Sequence, residues 1–353
     1  MKKRKILSVI SVVLCLVSLF TMTGEAAART NFGTYVDKYI PTPDVSICPS
    51  TQGFAAGSKY LYSVKIDNLD SRAVIYRANK DGKSKAEILR NADENNGYYA
   101  YGLGHANDMC VTSVNGKSRL YITTSTDKFN NKYDIAVLEI TGNTYKCIAK
   151  YDILIDDNEN GKEDGISGIT ITDHHYDNDT KIRFLLKSGN NVYTYVINKS
   201  DNRVVQEPRY ALRILRNHVY VTRNDTKVTE EIILSTDNFS AQGFDYCKET
   251  DTLYFSLGGN GKTSYKNKSI VLAYKNIYDR INPHFIGAPP SPLLFPLNNQ
   301  TFYVTSNAYS ALFEIEGTGI SSDGKMYFNA NRRVTDKNCN HDVISYFTGF
   351  KAF

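Results

Sequence analysis

The feature of this sequence that most constrains its fold is a unit that recurs five times. Each unit opens with a short step from a polar residue through a mostly small residue to an apolar one, and the steps recur at intervals of 55 to 76 residues. The five steps are Gln52-Gly53-Phe54, Asn107-Asp108-Met109, Ser167-Gly168-Ile169, Gln242-Gly243-Phe244 and Thr318-Gly319-Ile320. Such repetition indicates an array in which each unit buries its apolar faces against its neighbours.

Each step is followed by two apolar, Tyr-rich segments whose alternation and β-branched or aromatic residues predict strands. The first set comprises residues 59–66, 119–124, 181–187, 252–257 and 325–330, and the second comprises 73–77, 134–140, 191–197, 269–274 and 342–347. A further strand is predicted after each of the first four units, at residues 86–89, 145–154, 204–215 and 311–316. A pair of β-sandwiches is the alternative, but five aligned units favour a closed repeat.

The fifth unit lacks a fourth strand of its own, and residues 32–40 can supply it from the other end of the chain. A ring of blades needs its last blade tied to its first, because no blade buries both faces alone. We therefore predict an all-β, five-bladed β-propeller with four-stranded blades in a single domain over residues 29–353. Its ring is closed by the N-terminal strand, which completes the C-terminal blade.

Residues 1–28 have the pattern of a signal peptide. Basic residues at positions 2–5 precede an apolar run at 6–22, and small residues at 26–28 suit cleavage. An uncleaved anchor helix is the alternative, but the apolar run is short for a membrane span. The sequence thus predicts a secreted or cell-wall-associated protein without stable membrane insertion, and its short Lys-rich start is typical of Gram-positive export.

The remaining chain is nearly neutral, because the signal segment holds four of the 42 basic residues and one of the 37 acidic ones. This balance excludes a strong nucleic-acid or membrane footprint. Five cysteines remain, an odd number with wide spacing and no C-x-x-C, so the pattern is neither a disulfide framework nor a zinc site. Their pairing is left open; they are Cys48, Cys110, Cys147, Cys247 and Cys339.

The innermost strands of a propeller line its channel, so the first residues of the steps are expected to ring one channel mouth. With their neighbours they predict a polar ligand-binding site. Alternatively these side chains cap strand ends and hold buried waters. The candidate residues are Gln52, His105, Asn107, Asp108, Gln242 and Glu316. Tyr99 and Tyr101, just before His105, could stack on sugar rings, or else pack between blades.

One loop has metal-ligand spacing. Oxygen-bearing side chains at its positions 1, 3, 5 and 9, with Gly161 at position 6, predict calcium binding. These ligands are Asp156, Asn158, Asn160 and Asp164. The loop resembles the calcium loops of integrin-type propellers and the start of an EF-hand, although position 12 is Ser167 rather than Glu. Asn- and Asp-rich turns also form without metal.

Residues 58–77, 104–124, 242–274 and 314–347 resemble successive parts of helveticin J-like bacteriocins. They also resemble the related propellers of teichoic-acid-associated and phage receptor-binding proteins. The resemblance implies a five-bladed propeller with an antibacterial role or a role in binding a cell-envelope glycopolymer. It implies no catalytic residues.

The first functional hypothesis is therefore a secreted, non-catalytic propeller that recognises a cell-surface glycan or teichoic-type polymer at the channel mouth. The second is an extracellular polymer hydrolase or lyase on the same face. That hypothesis needs at least two of His105, Asp108, Glu316 and His341 within hydrogen-bond reach. A third is a scaffold for protein contacts.

Overall fold

The computed structural model describes residues 31–353, apart from 33, 38, 43–46, 96, 125–132, 156–164, 173–179, 217–218, 223–230, 235–238, 260–263, 282–292, 298–300, 336–340 and 349. The signal segment and the calcium-like loop at 156–164 lie outside the described residues.

Five sheets form five blades. In each blade the principal strands are antiparallel and follow one another in order from the channel outward. Blade one consists of Ser50–Ala56, Tyr60–Ile66, Arg72–Asn79, and Glu87–Ile88 with Tyr99–Tyr101 at its outer edge. Blade two consists of Met109–Val114, Lys117–Thr123, Ile135–Thr141 and Thr144–Tyr151, with Arg90–Asn91 added in parallel. Blade three consists of Gly168–Ile171, Lys181–Ser188, Asn191–Asn198 and Val204–Ile214, with Leu293–Leu294 added in parallel.

Blade four consists of Phe239–Cys247, Thr252–Gly259, Lys268–Lys275 and Phe302–Thr305, with Asn31–Phe32 added in parallel. Blade five consists of Leu312–Ile320, Met326–Arg333 and Val343–Thr348, with Thr34–Tyr35 and Ile40–Pro41 at its edge. A short helix, Ile277–Ile281, and a hairpin of Val219–Thr222 with Glu231–Leu234 lie outside the blades. Within the described residues, no helix combines the length and apolar character needed to cross a membrane.

The ring closes as predicted. The innermost strand of every blade contacts those of both neighbouring blades, and the fifth contacts the first. In blade five, Tyr35 pairs with Phe347 and Ile40 pairs with Ile344, so the N-terminal segment supplies the missing outer strand. The five-bladed fold with four-stranded blades is therefore confirmed.

The fourth strand of blade four was predicted wrongly. Residues 311–316 belong to the innermost strand of blade five, Leu312–Ile320. The strand that completes blade four is Phe302–Thr305, which pairs with Lys268–Lys275. It has only four residues among Asn- and Thr-rich neighbours, so its alternation is too brief to indicate a strand from the sequence.

The polar step of blade five also begins two residues earlier than predicted. A β-bulge interrupts the innermost strand of blade one at Gln52-Gly53 and that of blade four at Gln242-Gly243. The matching irregularity in blade five falls at Glu316-Gly317. Glu316-Gly317-Thr318 is thus the true counterpart of the Gln-Gly-Phe steps, which makes Glu316 a member of the ring.

The glycine of this step is required by close approach between blades. A Cβ atom on Gly243 would lie 2.4 Å from Asp108 Oδ1, and one on Gly317 would lie 2.8 Å from Phe54 Cβ. The innermost strands of blades four and five are therefore held against blades two and one, respectively, at distances that only glycine allows.

The apolar core is divided among the interfaces between blades. Five buried clusters lie between blades one and two, two and three, three and four, four and five, and five and one. In the last of them, Ile40 and Ile344 of blade five pack with Phe54, Leu61 and Val74 of blade one. The N-terminal segment therefore closes the ring by apolar packing as well as by strand pairing.

We expect Ile40→Ala to lower the free energy of unfolding by about 2 to 5 kcal/mol, because it opens a cavity at the ring closure. Urea denaturation followed by circular dichroism measures this. Leu69→Ala is the control, because the side chain of Leu69 is 65% exposed in a loop. A loss at Ile40 no larger than at Leu69 would show that the N-terminal segment does not hold the ring.

Candidate functional site

One channel mouth, at the N-terminal ends of the innermost strands, carries a pair of glutamates. Glu314 is half-buried and Glu316 is 1% exposed, both on the innermost strand of blade five. Gln242 Nε2 of blade four donates to Glu314 Oε1 at 2.9 Å. A Cβ atom on Gly258 would lie 2.5 Å from the same Oε1 atom, so a glycine of blade four makes room for the carboxyl group.

The two carboxyl groups have raised pKa values. Burial raises the pKa of Glu316 well above its usual range, and the negative charges of Glu314 and Asp342 raise it further. Burial also raises the pKa of Glu314, whereas Gln242 and the nearby Arg333 lower it. Burial and neighbouring negative charge both raise the pKa of Glu316, whereas burial of Glu314 is partly offset by Gln242 and Arg333. Of the two, Glu316 therefore holds the proton and Glu314 ionises first.

Several buried polar atoms near this pair have no hydrogen-bond partner among the described residues. Such atoms are uncommon in folded proteins, and they indicate a place for water or a ligand. Three lie on blade five and one on the adjacent strand of blade one. They are Glu316 Oε2, Asn331 Oδ1, Arg333 Nε and Gln52 Oε1.

A buried ion pair joins blades one and five beside the mouth. Lys65 Nζ lies 3.0 Å from Asp342 Oδ2, and both side chains are fully buried. Thr51 Oγ1 donates to Asp342 Oδ2 at 2.8 Å, and the backbone N–H of Arg332 donates to Asp342 Oδ1 at 3.0 Å. Both charges are thus compensated within the fold, and removing one partner would leave the other buried and unpaired.

A second buried lysine lies in blade three. Lys187 Nζ donates to Ser167 Oγ at 2.5 Å, and Ser167 is half-buried at the mouth. Burial lowers the pKa of Lys187 to about 8, the charge of Asp108 opposes this change, and that of Arg216 adds to it.

Asp108 has a structural position rather than the predicted ligand-binding one. Its carboxylate accepts backbone hydrogen bonds from Met109 at 2.9 Å, Ile169 at 2.9 Å and Phe244 at 3.1 Å. Burial raises the pKa of Asp108, and these N–H groups lower it. The side chain of Asp108 is 1% exposed, and its carboxylate is shared by three blades.

His105, Asn107 and His341 do not join Gln52, Gln242 and Glu316 in one site. His105 Nδ1 lies 3.2 Å from Asp70 Oδ1 in the loop between the second and third strands of blade one. His341 packs against Tyr309 with ring centroids 5.6 Å apart. Asn107 is half-buried just before the innermost strand of blade two. The set of His105, Asp108, Glu316 and His341 is therefore scattered over separate networks.

Tyr99 and Tyr101 lie on the outer edge of blade one, not beside the channel. Their strand pairs with the third strand of that blade, with Tyr101 opposite Arg72 and Tyr99 opposite Val74. The side chain of Tyr101 is 54% exposed, and the Arg72 guanidinium lies 5.7 Å from the Tyr99 ring. The chain folds back to complete blade one before it enters blade two, so this strand lies away from the channel, and Tyr99 packs against the cluster between blades five and one.

The opposite end of the channel holds a cavity of about 360 Å³. It lies at the C-terminal ends of the innermost strands, and Asp245, Thr170 and Ile320 contribute to its wall. The Asp245 carboxylate already accepts from Thr170 Oγ1 at 2.8 Å and from the Ile320 N–H at 2.7 Å. Among the described residues that line this cavity, no buried side-chain atom is without a hydrogen-bond partner, unlike at the first mouth.

The described residues contain no group of three or more His, Cys, Asp or Glu side chains that could hold a metal ion. Asp156, Asn158, Asn160 and Asp164 lie outside them, so calcium binding stays a prediction. The described cysteines are free thiols, whereas Cys339 lies outside the described residues.

Four charged residues of the site were not predicted, because all four lie in or beside segments identified as structural strands: Glu314, Lys65, Lys187 and Asp342. The available signal was a charged residue inside an apolar strand, as with Lys65 in KYLYSVKI and Lys187 in KIRFLLK. Charged residues are almost never fully buried unless they are paired. Nothing in the sequence shows which partner each has.

No family model matches this chain, and no curated protein matches it. Among solved structures, it is similar to the Bacteroides ovatus xyloglucan PUL GH43B protein, at 11% identity and a TM-score of 0.43, over 82% of this chain and 50% of that one. It is also similar to an exo-β-1,3-galactanase from Clostridium thermocellum, at 12% identity and a TM-score of 0.45, over 88% of this chain and 61% of that one. A thermostable family-43 glycoside hydrolase matches at 10% identity and a TM-score of 0.46, over 87% of this chain and 91% of that one.

The chain thus spans about half the length of the Bacteroides ovatus protein. These matches correct the prediction of a non-catalytic, helveticin-like binding propeller. Two of the proteins are named as glycan-hydrolysing enzymes and the third as a member of GH43, and none of the three is a helveticin or another bacteriocin. At such low identities the likeness concerns the fold, which the sheet topology establishes independently.

The raised pKa of Glu316 makes stability depend on pH. Its folded-state carboxyl holds a proton that the unfolded chain releases above the ordinary value of 4.5, so stability falls as pH rises toward the folded-state pKa. We expect Glu316→Gln, a neutral mimic of the protonated acid, to remove part of this fall as pH rises above the unfolded-state pKa. Urea denaturation at several pH values measures the slope.

Glu139→Gln is the control for that experiment. Hydrogen bonding to Lys117 lowers the pKa of Glu139, so this group stabilises the fold above its unfolded pKa and loses that effect only as pH falls through its folded pKa. The Glu139 variant should therefore keep the native slope over the same interval. Equal slopes in the native protein and the Glu316 variant would contradict a raised pKa at Glu316.

Proposed function

We propose that this protein is a secreted enzyme that hydrolyses glycosidic bonds in an extracellular polysaccharide at the Glu314–Glu316 mouth. The observation that carries the proposal is a pair of interacting carboxyl groups, one fully buried with a strongly raised pKa and the other half-buried. Glycosidic cleavage needs one carboxylic acid to protonate the leaving oxygen and a second carboxylate to assist the anomeric centre.

Glu316 has the properties of the general acid. Its raised pKa keeps the proton on the carboxyl group at pH values where an ordinary glutamic acid has lost it, as a general acid requires. Its unpartnered Oε2 atom leaves room for a hydrogen bond to a leaving oxygen.

Glu314 has the properties of the partner carboxylate. Gln242 holds one of its oxygens at 2.9 Å, and the positive charge of Arg333 favours its ionised form. It is the more exposed of the two, so water or the anomeric carbon of a sugar can reach it from the mouth. Its ionised state stabilises the positive charge that develops on the sugar ring.

The remaining unpartnered atoms suit sugar hydroxyl groups. Gln52 Oε1 and Asn331 Oδ1 are buried acceptors, and Arg333 Nε is a donor. A polyhydroxylated ligand supplies both kinds of partner at once. This supports a carbohydrate substrate more directly than an apolar one.

The first test is hydrolysis of a panel of polysaccharides that includes β-1,3-galactan, xyloglucan, arabinan and purified cell-wall polymers, with reducing ends measured. We expect Glu316→Gln and Glu314→Gln each to lower kcat/KM by about 100-fold or more, because each removes one half of the acid–base pair.

The control is Glu87→Gln, whose carboxylate is half-exposed on the outer edge of blade one and pairs with Arg77. It should hydrolyse the same polymer at the native rate. Hydrolysis that survives in both mouth variants, or no hydrolysis of any polymer by the native protein, would refute the proposal.

Calcium binding at Asp156, Asn158, Asn160 and Asp164 belongs to the same proposal, as a structural cation in the loop before blade three. A ligand that binds only the native state raises the melting temperature. We expect the Tm to be higher in millimolar calcium than in chelator, and Asp156→Asn with Asp164→Asn to remove the difference. An unchanged Tm would contradict a calcium site.

A further inference from the structure

Ser167 and Lys187 form a nucleophile–base pair that the glycosidase proposal does not use. Ser167 Oγ lies 2.5 Å from Lys187 Nζ, and the serine is half-buried while the lysine is 1% exposed. A hydroxyl group at a solvent-accessible mouth is thus in contact with an amine that is shielded from water. Serine with a lysine base is one of the known solutions for activating a hydroxyl nucleophile.

The fold makes room for this pair in a specific way. A Cβ atom on Gly168 would lie 2.9 Å from Lys187 Cε and 2.6 Å from the Phe244 ring. The glycine that follows Ser167 therefore allows the lysine side chain to pass beneath the strand and reach the hydroxyl group. The contact depends on this close approach between neighbouring strands.

The charges around Lys187 fit the role of a base. Asp108 lies on blade two and Arg216 follows the outer strand of blade three, and their effects on the lysine are opposite. Because burial prevails, the pKa of Lys187 is about 8, so a substantial fraction of neutral amine exists near neutral pH.

Arg216 supplies a positive charge on the same side. Its guanidinium carbon lies 5.9 Å from the centroid of the Phe255 ring, and Lys187 Nζ lies 5.1 Å from that centroid. Arg216 and the Lys187 amine thus approach the same aromatic ring, and this amine contacts Ser167. A positive charge close to a reacting carbonyl stabilises the oxyanion of a tetrahedral intermediate, and Arg216 is the residue assigned to that role.

We propose that Ser167 and Lys187 catalyse a second reaction at this mouth, the hydrolysis of carboxylic esters with a short acyl group. Ser167 Oγ attacks the ester carbonyl as its proton passes to the neutral Lys187 amine. The alcohol then leaves with that proton, which leaves an acyl group on Ser167. Water next attacks the acyl group and gives its proton to Lys187, and the serine leaves with that proton as the carboxylic acid is released.

A similar contact elsewhere in the chain provides a matched control. Lys80 Nζ lies 2.5 Å from Ser321 Oγ, but Ser321 is 2% exposed and donates its own hydroxyl hydrogen to the Gly57 carbonyl at 3.0 Å. Ser167 makes only a 3.4 Å contact with the Lys187 carbonyl. The hydroxyl proton of Ser321 is thus engaged and shielded, and we expect no nucleophilic reactivity there.

The test uses the full chain with p-nitrophenyl acetate as substrate and a fluorophosphonate probe as a label for activated serines. We expect turnover that rises with pH to a plateau with a midpoint of about 8, and a probe adduct on Ser167 in peptide mass spectra. Ser167→Ala should lower kcat/KM by about 100-fold or more and abolish the adduct, while Ser321→Ala behaves as the native protein.

Lys187→Arg separates a base from a mere positive charge. Arginine keeps the charge but does not deprotonate, so it should lose turnover to the same extent as Ser167→Ala. The adduct on the native protein keeps the test decisive if this variant does not fold. Turnover that persists in Ser167→Ala, an adduct on another residue, or the absence of both turnover and adduct would overturn the proposal. Ester and glycan hydrolysis are measured on separate substrates, so either can fail alone.

Discussion

The structure depends on the Asp108 carboxylate at the centre of the ring. An innermost propeller strand pairs with a neighbour along only one edge, so its other edge presents N–H groups inside the protein that need acceptors. Asp108 satisfies such groups on blades two, three and four at once. Asp245 does the same between blades three and five, where it accepts from Thr170 Oγ1 and the Ile320 N–H. Side-chain carboxylates thus supply the hydrogen-bond acceptors that a further strand would otherwise provide at this edge.

Asn329 completes this pattern between blades five and one. Its Nδ2 group donates to the backbone carbonyl of Gln52 and to Ser63 Oγ, and its Oδ1 atom accepts from the Gly317 N–H. The Lys65–Asp342 pair joins the same two blades beside it. The two blades that close the ring are therefore held by polar contacts at the channel and by the apolar cluster around Ile40 further out.

This arrangement explains why reactive groups collect at one mouth. Water is excluded where the innermost strands approach closely enough to require glycine. Burial away from water raises the pKa of a carboxylic acid and lowers that of a lysine. Glu316 and Lys187 lie in that environment, with raised and lowered pKa values respectively. Asp342 is similarly buried, but its carboxylate pairs with Lys65. Asp342 therefore belongs to a structural ion pair, whereas Glu316 has no such cationic partner among the described ion pairs.

The sequence by itself determined the number of blades, most of their strands and the closure of the ring by the N-terminal segment, because periodicity and strand alternation are local patterns. It also indicated Gln52, Gln242 and Glu316 as members of one ring. The step of blade five was, however, placed at Thr318, two residues too late, so Glu316 was not identified as the first residue of that step. Only the tertiary structure decided that Asp108 is a structural acceptor, that Tyr99 and Tyr101 lie outward, and that Glu314 and Lys187 face the mouth. Those outcomes depend on which strands become neighbours within and between blades, and partners such as Asp108 and Phe244, 136 residues apart, carry no local signal of their contact.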